Sequence, residues 1–163
     1  MTTKVEIEVQ SQALLDALNH VLTQSDDLSG PMASVGLIMQ GATERAFENE
    51  EDPATGEAWD DLSDVTKAAR EKENEWPGQI LQQEGLLAGS VNLDTGKDYA
   101  AIGTNRIYAT TMHFGAAQGL FGANKRGTPL PWGTIPARPF FGINADDEDD
   151  IVAILQDALT PSG

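Results

Sequence analysis

Val5, Ile7 and Val9 alternate with Glu6, Glu8 and Gln10, a period of two that predicts a short, half-exposed strand. The period then changes. Leu14, Leu18 and Val21, with Leu15 and Leu22 beside them, recur at helical spacing behind Ser11, a capable N-cap, and predict a helix over about 12–24. Ser25-Asp26-Asp27-Leu28-Ser29-Gly30-Pro31 has the composition of a turn. Beyond it Val35, Ile38, Met39, Ala42 and Ala46, with Phe47 alongside, predict a second helix over about 31–50. Two amphipathic helices joined by a short Gly-Pro break suggest an antiparallel pair.

Residues 48–61 are acidic and carry Pro53 and Gly56, which reads as a solvated loop that ends by docking Trp59 and Leu62. Ser63 or Asp64 then caps a short helix running through Val65 to about Trp76, where Pro77-Gly78 stops it. Ile80, Leu81, Leu86 and Leu87 suggest a further helical stretch, weakened by Gly85. Ser90–Asp94 and Tyr99–Gly103 flank Thr95-Gly96-Lys97-Asp98 and predict a β-hairpin, because apolar positions alternate on both sides of a glycine-containing turn. Tyr108–Phe114 reads as a short helix. Ile135–Ile143 suits a final strand, which Pro136 and Pro139 confine to an edge or a bulge. Asn144 or Asp146 caps a last helix with Ile151, Ile154, Leu155, Ala158 and Leu159 on one face.

Between these elements lies a long irregular segment, expected to be flexible, over about 115–134. It holds Gly115, Gly119, Gly122, Gly127 and Gly133 with Pro129 and Pro131, and also Leu120, Phe121, Leu130 and Trp132. Long loops inside a compact domain are usually functional or disordered. Two readings stand: the large apolar side chains are covered by a partner, or the loop folds back on its own core. The expected architecture is a single α+β domain over 1–163, a small antiparallel sheet packed with several helices and interrupted by this Gly/Pro-rich loop.

Composition narrows the function. The chain has 163 residues, room for one domain. A net charge of −16 opposes nucleic-acid or anionic-membrane binding, which requires clustered Lys and Arg. Absence of cysteine excludes disulfides, thiolate zinc sites and a thiol nucleophile, and His20 and His113 alone make a multi-histidine metal site improbable. The first residues lack the apolar core of a signal peptide, and no apolar run approaches the roughly 18 residues needed to cross a bilayer. A soluble protein made in the cytosol, with protein partners and no cofactor, is expected.

Candidate chemistry is sparse. His113 has no neighbouring motif that would make it a general base, and it reads as a structural histidine beneath the loop. Asp146, Asp147, Glu148, Asp149 and Asp150 complement a helix dipole, which accounts for part of the cluster without a metal. No P-loop and no nucleophile elbow occurs. Lys125-Arg126, an adjacent basic pair in a very acidic chain, suits an acidic protein neighbour better than DNA. In Ile135-Pro136-Ala137-Arg138-Pro139-Phe140 the prolines stiffen the chain, Phe140 and Phe141 can bury on alternate faces, and Arg138 can fork onto a carboxylate. That segment reads as fold-fixing or as a subunit contact, with Arg138 able to serve both.

The order of landmarks carries a family resemblance. Gly56-Glu57-Ala58-Trp59-Asp60-Asp61-Leu62-Ser63 precedes Ile80–Val91, then Ile102–Ala109 with Tyr108-Ala109, then His113-Phe114-Gly115, then Ile135–Gly142 and the acidic start of a closing helix. Over roughly residues 30–160 the chain resembles the phage virion morphogenesis family, which includes tail-completion proteins of contractile-tailed phages and the corresponding late protein of Mu-like phages. That family often has a polar residue between the histidine and the Phe-Gly step; here Phe114 follows His113 directly.

The resemblance implies a structural virion protein, not an enzyme, assembled in the host cytoplasm and placed at the neck, where it completes or terminates the tail and enables head–tail joining. It implies a self-assembled ring, with a hexamer expected from the tail's symmetry, between a head–tail connector or stopper protein and the tail tube protein. DNA would pass through such a ring without specific binding, and an acidic lumen would repel phosphate. Expected interface residues are Leu120, Phe121, Lys125, Arg126, Trp132 and Arg138. Expected fold-fixing residues are Trp59, Leu62, Tyr108, His113, Gly115, Pro136, Pro139 and Phe140. Two rival readings are a small acidic DNA mimic or inhibitor of a host enzyme, motivated by charge, and a metal-dependent hydrolase using His113 with carboxylates of the Asp146 region.

Overall fold

One long helix organises the molecule. The computed structural model describes residues 11–23 and 27–158, so the strand expected over Val5–Val9, part of the first turn and Leu159 lie outside it. Helix α1 (Gln12–Leu22) starts at Ser11, whose side chain accepts from the Leu14 amide at 3.3 Å. Helix α2 (Ser29–Asn49) begins two residues earlier than the sequence pattern suggests. Gly30 and Pro31 therefore lie in its first turn and not in the break before it. The first four amides of a helix have no intrahelical partner, so proline is tolerated there. At the other end Glu50 adopts φ 57 and stops the helix.

Two apolar clusters form along α2. Met32 and Val35 in its first half join Leu14 and Val21 of α1, Leu28, and Ile151 and Leu155 of the closing helix α5 (Ala145–Asp157). Ala46 and Phe47 in its last turns join Trp59, Ile80, Leu87, Ala109, Phe140 and Phe141. The expected pairing of α1 directly with α2 is corrected: α1 packs mainly on α5, and α2 packs on both α5 and the hairpin that follows. Side chains reinforce this arrangement. Ser11 hydrogen-bonds Glu148 of α5, and Arg45 of α2 reaches Asp147 at 2.6 and 2.8 Å. Asp147 also completes a capping box with Asn144, accepting from the Asn144 amide while its own amide donates to the Asn144 side chain at 2.8 Å. Such a cap contributes about 1 kcal/mol.

The hairpin forms where the alternating pattern places it, as β1 (Val91–Thr95) and β2 (Ala100–Thr104), antiparallel, with Leu93 opposite Ile102. It lies against α2 at Gly36, where an added Cβ would sit 2.7 Å from Leu93 Cδ1 and 2.9 Å from Thr95 Cγ2. Its turn is tied to the start of α2, because the Leu28 amide donates to the Lys97 carbonyl at 2.9 Å. Helix α3 (Asp64–Lys72), capped by Ser63, ends short of Trp76, and α4 (Ala109–Phe114) follows the hairpin. The fold is α+β, a two-stranded antiparallel sheet among five helices of the described residues.

Two expected elements are absent from the described residues. Ile80–Leu87 is not helical: Leu81 takes φ 61 and Gly85 φ 66, and only Ala88–Ser90 makes a 3-10 turn. Tertiary hydrogen bonds hold this segment instead, from the Ile80 amide to the Glu50 carboxylate at 2.6 Å and from the Gln82 side chain to the Phe47 carbonyl at 2.8 Å. Ile135–Ile143 is not a strand. Two prolines remove ladder donors, and among these residues only Ile135 pairs in a β-bridge, with Ala116.

Candidate assembly surface

The aromatic cluster is the foundation on which residues 115–135 stand. Phe140 is 0% exposed, with Phe47 stacked on it at 5.3 Å, Phe141 at 4.7 Å and the His113 ring edge-on at 5.0 Å. Trp59 meets Phe47 edge-on and donates its indole N–H to the Pro139 carbonyl at 2.7 Å. Leu62 packs on the same cluster, half-buried. Phe140 and Phe141 share one cluster and do not alternate faces, because no strand forms here to impose a period of two.

Arg138 is 5% exposed and is held by backbone, not by a carboxylate fork: Nε donates to the Asp60 carbonyl at 2.9 Å and Nη2 to the Asp61 carbonyl at 3.0 Å. Burial lowers its pKa from the ordinary arginine value, and the charges of Asp60 and Asp61 oppose that shift. The guanidinium staples the 135–143 segment to the 59–62 segment, which gives Arg138 a place among the fold-fixing residues. Tyr108 is 42% exposed and lies outside the buried cluster that holds Trp59, Leu62 and Phe140.

His113 is 4% exposed, and its Nδ1 accepts from the Phe140 amide at 3.3 Å. That bond requires a neutral Nδ1. Burial lowers the His113 pKa below the ordinary 6.5, and the Asp52 charge opposes the shift in part. Since the unfolded chain then binds the proton more tightly, the stability due to neutral His113 is complete above about pH 6.5 and is lost as pH falls through its lower folded value. His113→Gln is expected to flatten the His-dependent part of this fall. The check is the difference between wild-type and variant urea midpoints measured from pH 8 to pH 5; parallel curves would contradict it.

From this base the glycine-rich segment rises as a ribbon and not as an irregular loop. Ala116 and Ile135 exchange backbone hydrogen bonds at 2.9 and 2.8 Å. The Phe121 amide donates to Leu130, and the Leu130 amide to Gly122, both at 2.7 Å. At the tip the Asn124 amide donates to Thr128 at 2.9 Å, and the Asn124 side chain accepts from the Arg126 and Thr128 amides. Gly115 begins the ribbon at φ 73, ψ 178, with no space for a Cβ beside the Ile135 carbonyl. Pro136 lies at the opposite foot, within van der Waals reach of that position.

The ribbon does not fold back over its own core. Leu120, Phe121 and Trp132 are 61%, 59% and 60% exposed, and Lys125 and Arg126 are exposed at the tip. It contains no acidic residue. The whole chain carries −16 and residues 115–134 carry +2, so the remainder carries −18.

A second surface feature was not singled out by sequence pattern. A cleft of about 310 Å³ lies beside α2, lined by polar side chains including Gln40 and Gln82, by Phe47, Ala88 and Val91, and by exposed Glu44 and Glu48. Both carboxylates are exposed, and no ion pair joins either to a cation among the described residues. A helix places positions four apart on one face, which is the signal that could have paired them; the hairpin wall opposite is nonlocal. Among the described residues no three histidines or carboxylates converge in a way that could hold a metal.

Comparison with known proteins adds the following. Residues 9–160 match the model of the phage virion morphogenesis family. The chain is 33% identical over 151 residues to a proposed capsid assembly protein, G, of Escherichia phage Mu, covering 93% of this chain and 91% of that protein. It is 38% identical over 127 residues to Mu-like prophage FluMu G protein 1 of Haemophilus influenzae, covering 77% and 74%, and 28% identical over 154 residues to FluMu G protein 2, covering 94% of each. No solved structure matches the chain.

Proposed function

This chain belongs to the phage virion morphogenesis family, and we propose that within phage assembly it is a structural subunit of the neck, forming a ring that completes or terminates the tail and enables head–tail joining. The observation that carries this reading is the preformed ribbon with Leu120, Phe121 and Trp132 exposed along it. Large apolar groups held out by an ordered backbone are a surface prepared for protein contact. The ring's neighbours would be a connector or stopper protein on the head side and the tube protein on the tail side. No bond need be made or broken: His113, the residue most suited to proton transfer, is buried with Nδ1 engaged by a backbone amide.

Deleting the gene is expected to leave filled heads and separate tails, or tails of the wrong length, with infectious particles essentially absent. Electron microscopy of the wild-type neck, fitted with this chain, should show it as a closed ring whose subunits can be counted. Normal infectious particles from the deletion would end the proposal. Absence of the protein from purified virions would favour an acidic inhibitor of a host enzyme instead.

A further inference from the structure

We propose that the ribbon of one copy docks in the α2 cleft of the next copy, so that both halves of the ring contact are present on every subunit. This rests on the ring reading and specifies its interface. The two surfaces are complementary in charge. The ribbon presents Lys125 and Arg126 at its tip and carries no acid, while the cleft presents Glu44 and Glu48. None of these four side chains has an opposite charge paired with it among the described residues of its own chain. Glu44 and Glu48 are one helical turn apart, about 5–6 Å between Cβ atoms, a spacing that two adjacent long basic side chains can bracket. Between these carboxylates and the hairpin, half-buried Ala88 and Val91 offer apolar surface to Leu120 and Phe121, which the ribbon's backbone hydrogen bonds hold ready without further ordering.

The contact is heterologous, because ribbon and cleft are different patches of one surface. Repetition of such a contact closes into a ring when the rotation allows it. A second copy is favoured over an unrelated acidic partner because its acidic and apolar groups lie together in a concavity on the same polypeptide. Long-range repulsion between bodies carrying −18 makes a local basic contact the place where two copies can meet.

The test uses the full chain and two charge-reversed forms, Lys125→Glu with Arg126→Glu, and Glu44→Lys with Glu48→Lys. All four positions are exposed, so folding should survive, which thermal melts verify. Mass is read by light scattering and sedimentation at low salt. The wild type is expected to assemble, and each reversed form alone to associate about 10-fold more weakly, because two surface ion pairs are replaced by like-charge repulsion. Mixing the two reversed forms should restore assembly with strict alternation, because each acidic ribbon then meets a basic cleft. A wild type that assembles while both reversed forms assemble equally well overturns this interface and leaves the ring reading standing. So does a mixture that fails to recover. A wild type that remains a monomer in solution and is absent from virions overturns both.

Discussion

Phe140→Ala is expected to lower the stability of the folded chain by about 3–5 kcal/mol, the usual range for deleting a fully buried phenylalanine ring. The reasons are geometric. Phe140 is entirely buried and is contacted by three other rings, Phe47, Phe141 and His113. None of these is positioned to fill the space without leaving its own partners. The Phe140 amide also donates to His113, so relaxation around a void at this site would lengthen that bond. Since domains of this size are stable by only about 5–15 kcal/mol, the variant should unfold at a much lower urea concentration and accumulate poorly at 37 °C. Urea titration followed by tryptophan fluorescence is a direct readout, because Trp59 lies in the same cluster. A loss below about 1 kcal/mol would show that the cluster is not the principal core of this half of the molecule.

Gly115→Ala is expected to cost about 2–3 kcal/mol from backbone strain. The conformation at φ 73, ψ 178 is one that residues with a Cβ essentially do not adopt, and the methyl would lie 2.6 Å from the Ile135 carbonyl oxygen and 2.8 Å from the Ala137 amide. Both obstacles are backbone and cannot rotate away. The expected consequence is an opened foot: the paired hydrogen bonds between Ala116 and Ile135 are lost, and the ribbon no longer leaves the body in one direction. Hydrogen exchange should therefore show the Ala116 and Ile135 amides deprotected far more than those of α2. Gly133→Ala serves as the control, since nothing stands within 4 Å of its added methyl.

The parts of the fold that could be read from sequence are those whose signal is local. Helix α1 announces itself by cap and period, α3 by its cap, the hairpin by alternation around Thr95-Gly96-Lys97-Asp98, and α5 by Asn144 and its acidic first turn. What failed was decided at a distance. Ile80, Leu81, Leu86 and Leu87 have helical spacing in the sequence, yet the Ile80 amide is claimed by Glu50 and the Gln82 side chain by Phe47. The apolar stripe of α1 says that it has a partner but not that the partner is 130 residues away. A sequence shows side chains, so a carboxylate is the partner it suggests for Arg138, whereas the carbonyls of Asp60 and Asp61 that hold it belong to every residue alike.

The candidate surface was legible in the same partial way. Composition pointed to the apolar and basic residues of 115–134, and their exposure agrees with that emphasis. Order in the segment was not foreseen, because five glycines and two prolines suggest freedom. The ribbon instead uses Gly119, Gly122 and Gly127 at positive φ to turn and pair its arms. The cleft beside α2 had no sequence signature, since its lining draws on Phe47, Ala88 and Val91 from two separate stretches.

The pairing of α1 with α5 has a consequence for synthesis. Leu14 and Val21 emerge from the ribosome early and can meet Leu28, Met32 and Val35 soon after, but Ile151 and Leu155 of the same cluster follow only once the hairpin and the ribbon have been made. The first helix therefore keeps part of its apolar stripe uncovered until α5 has been made. A chain truncated before α5 would leave that part of the stripe open, an exposed apolar patch with nothing of its own to cover it.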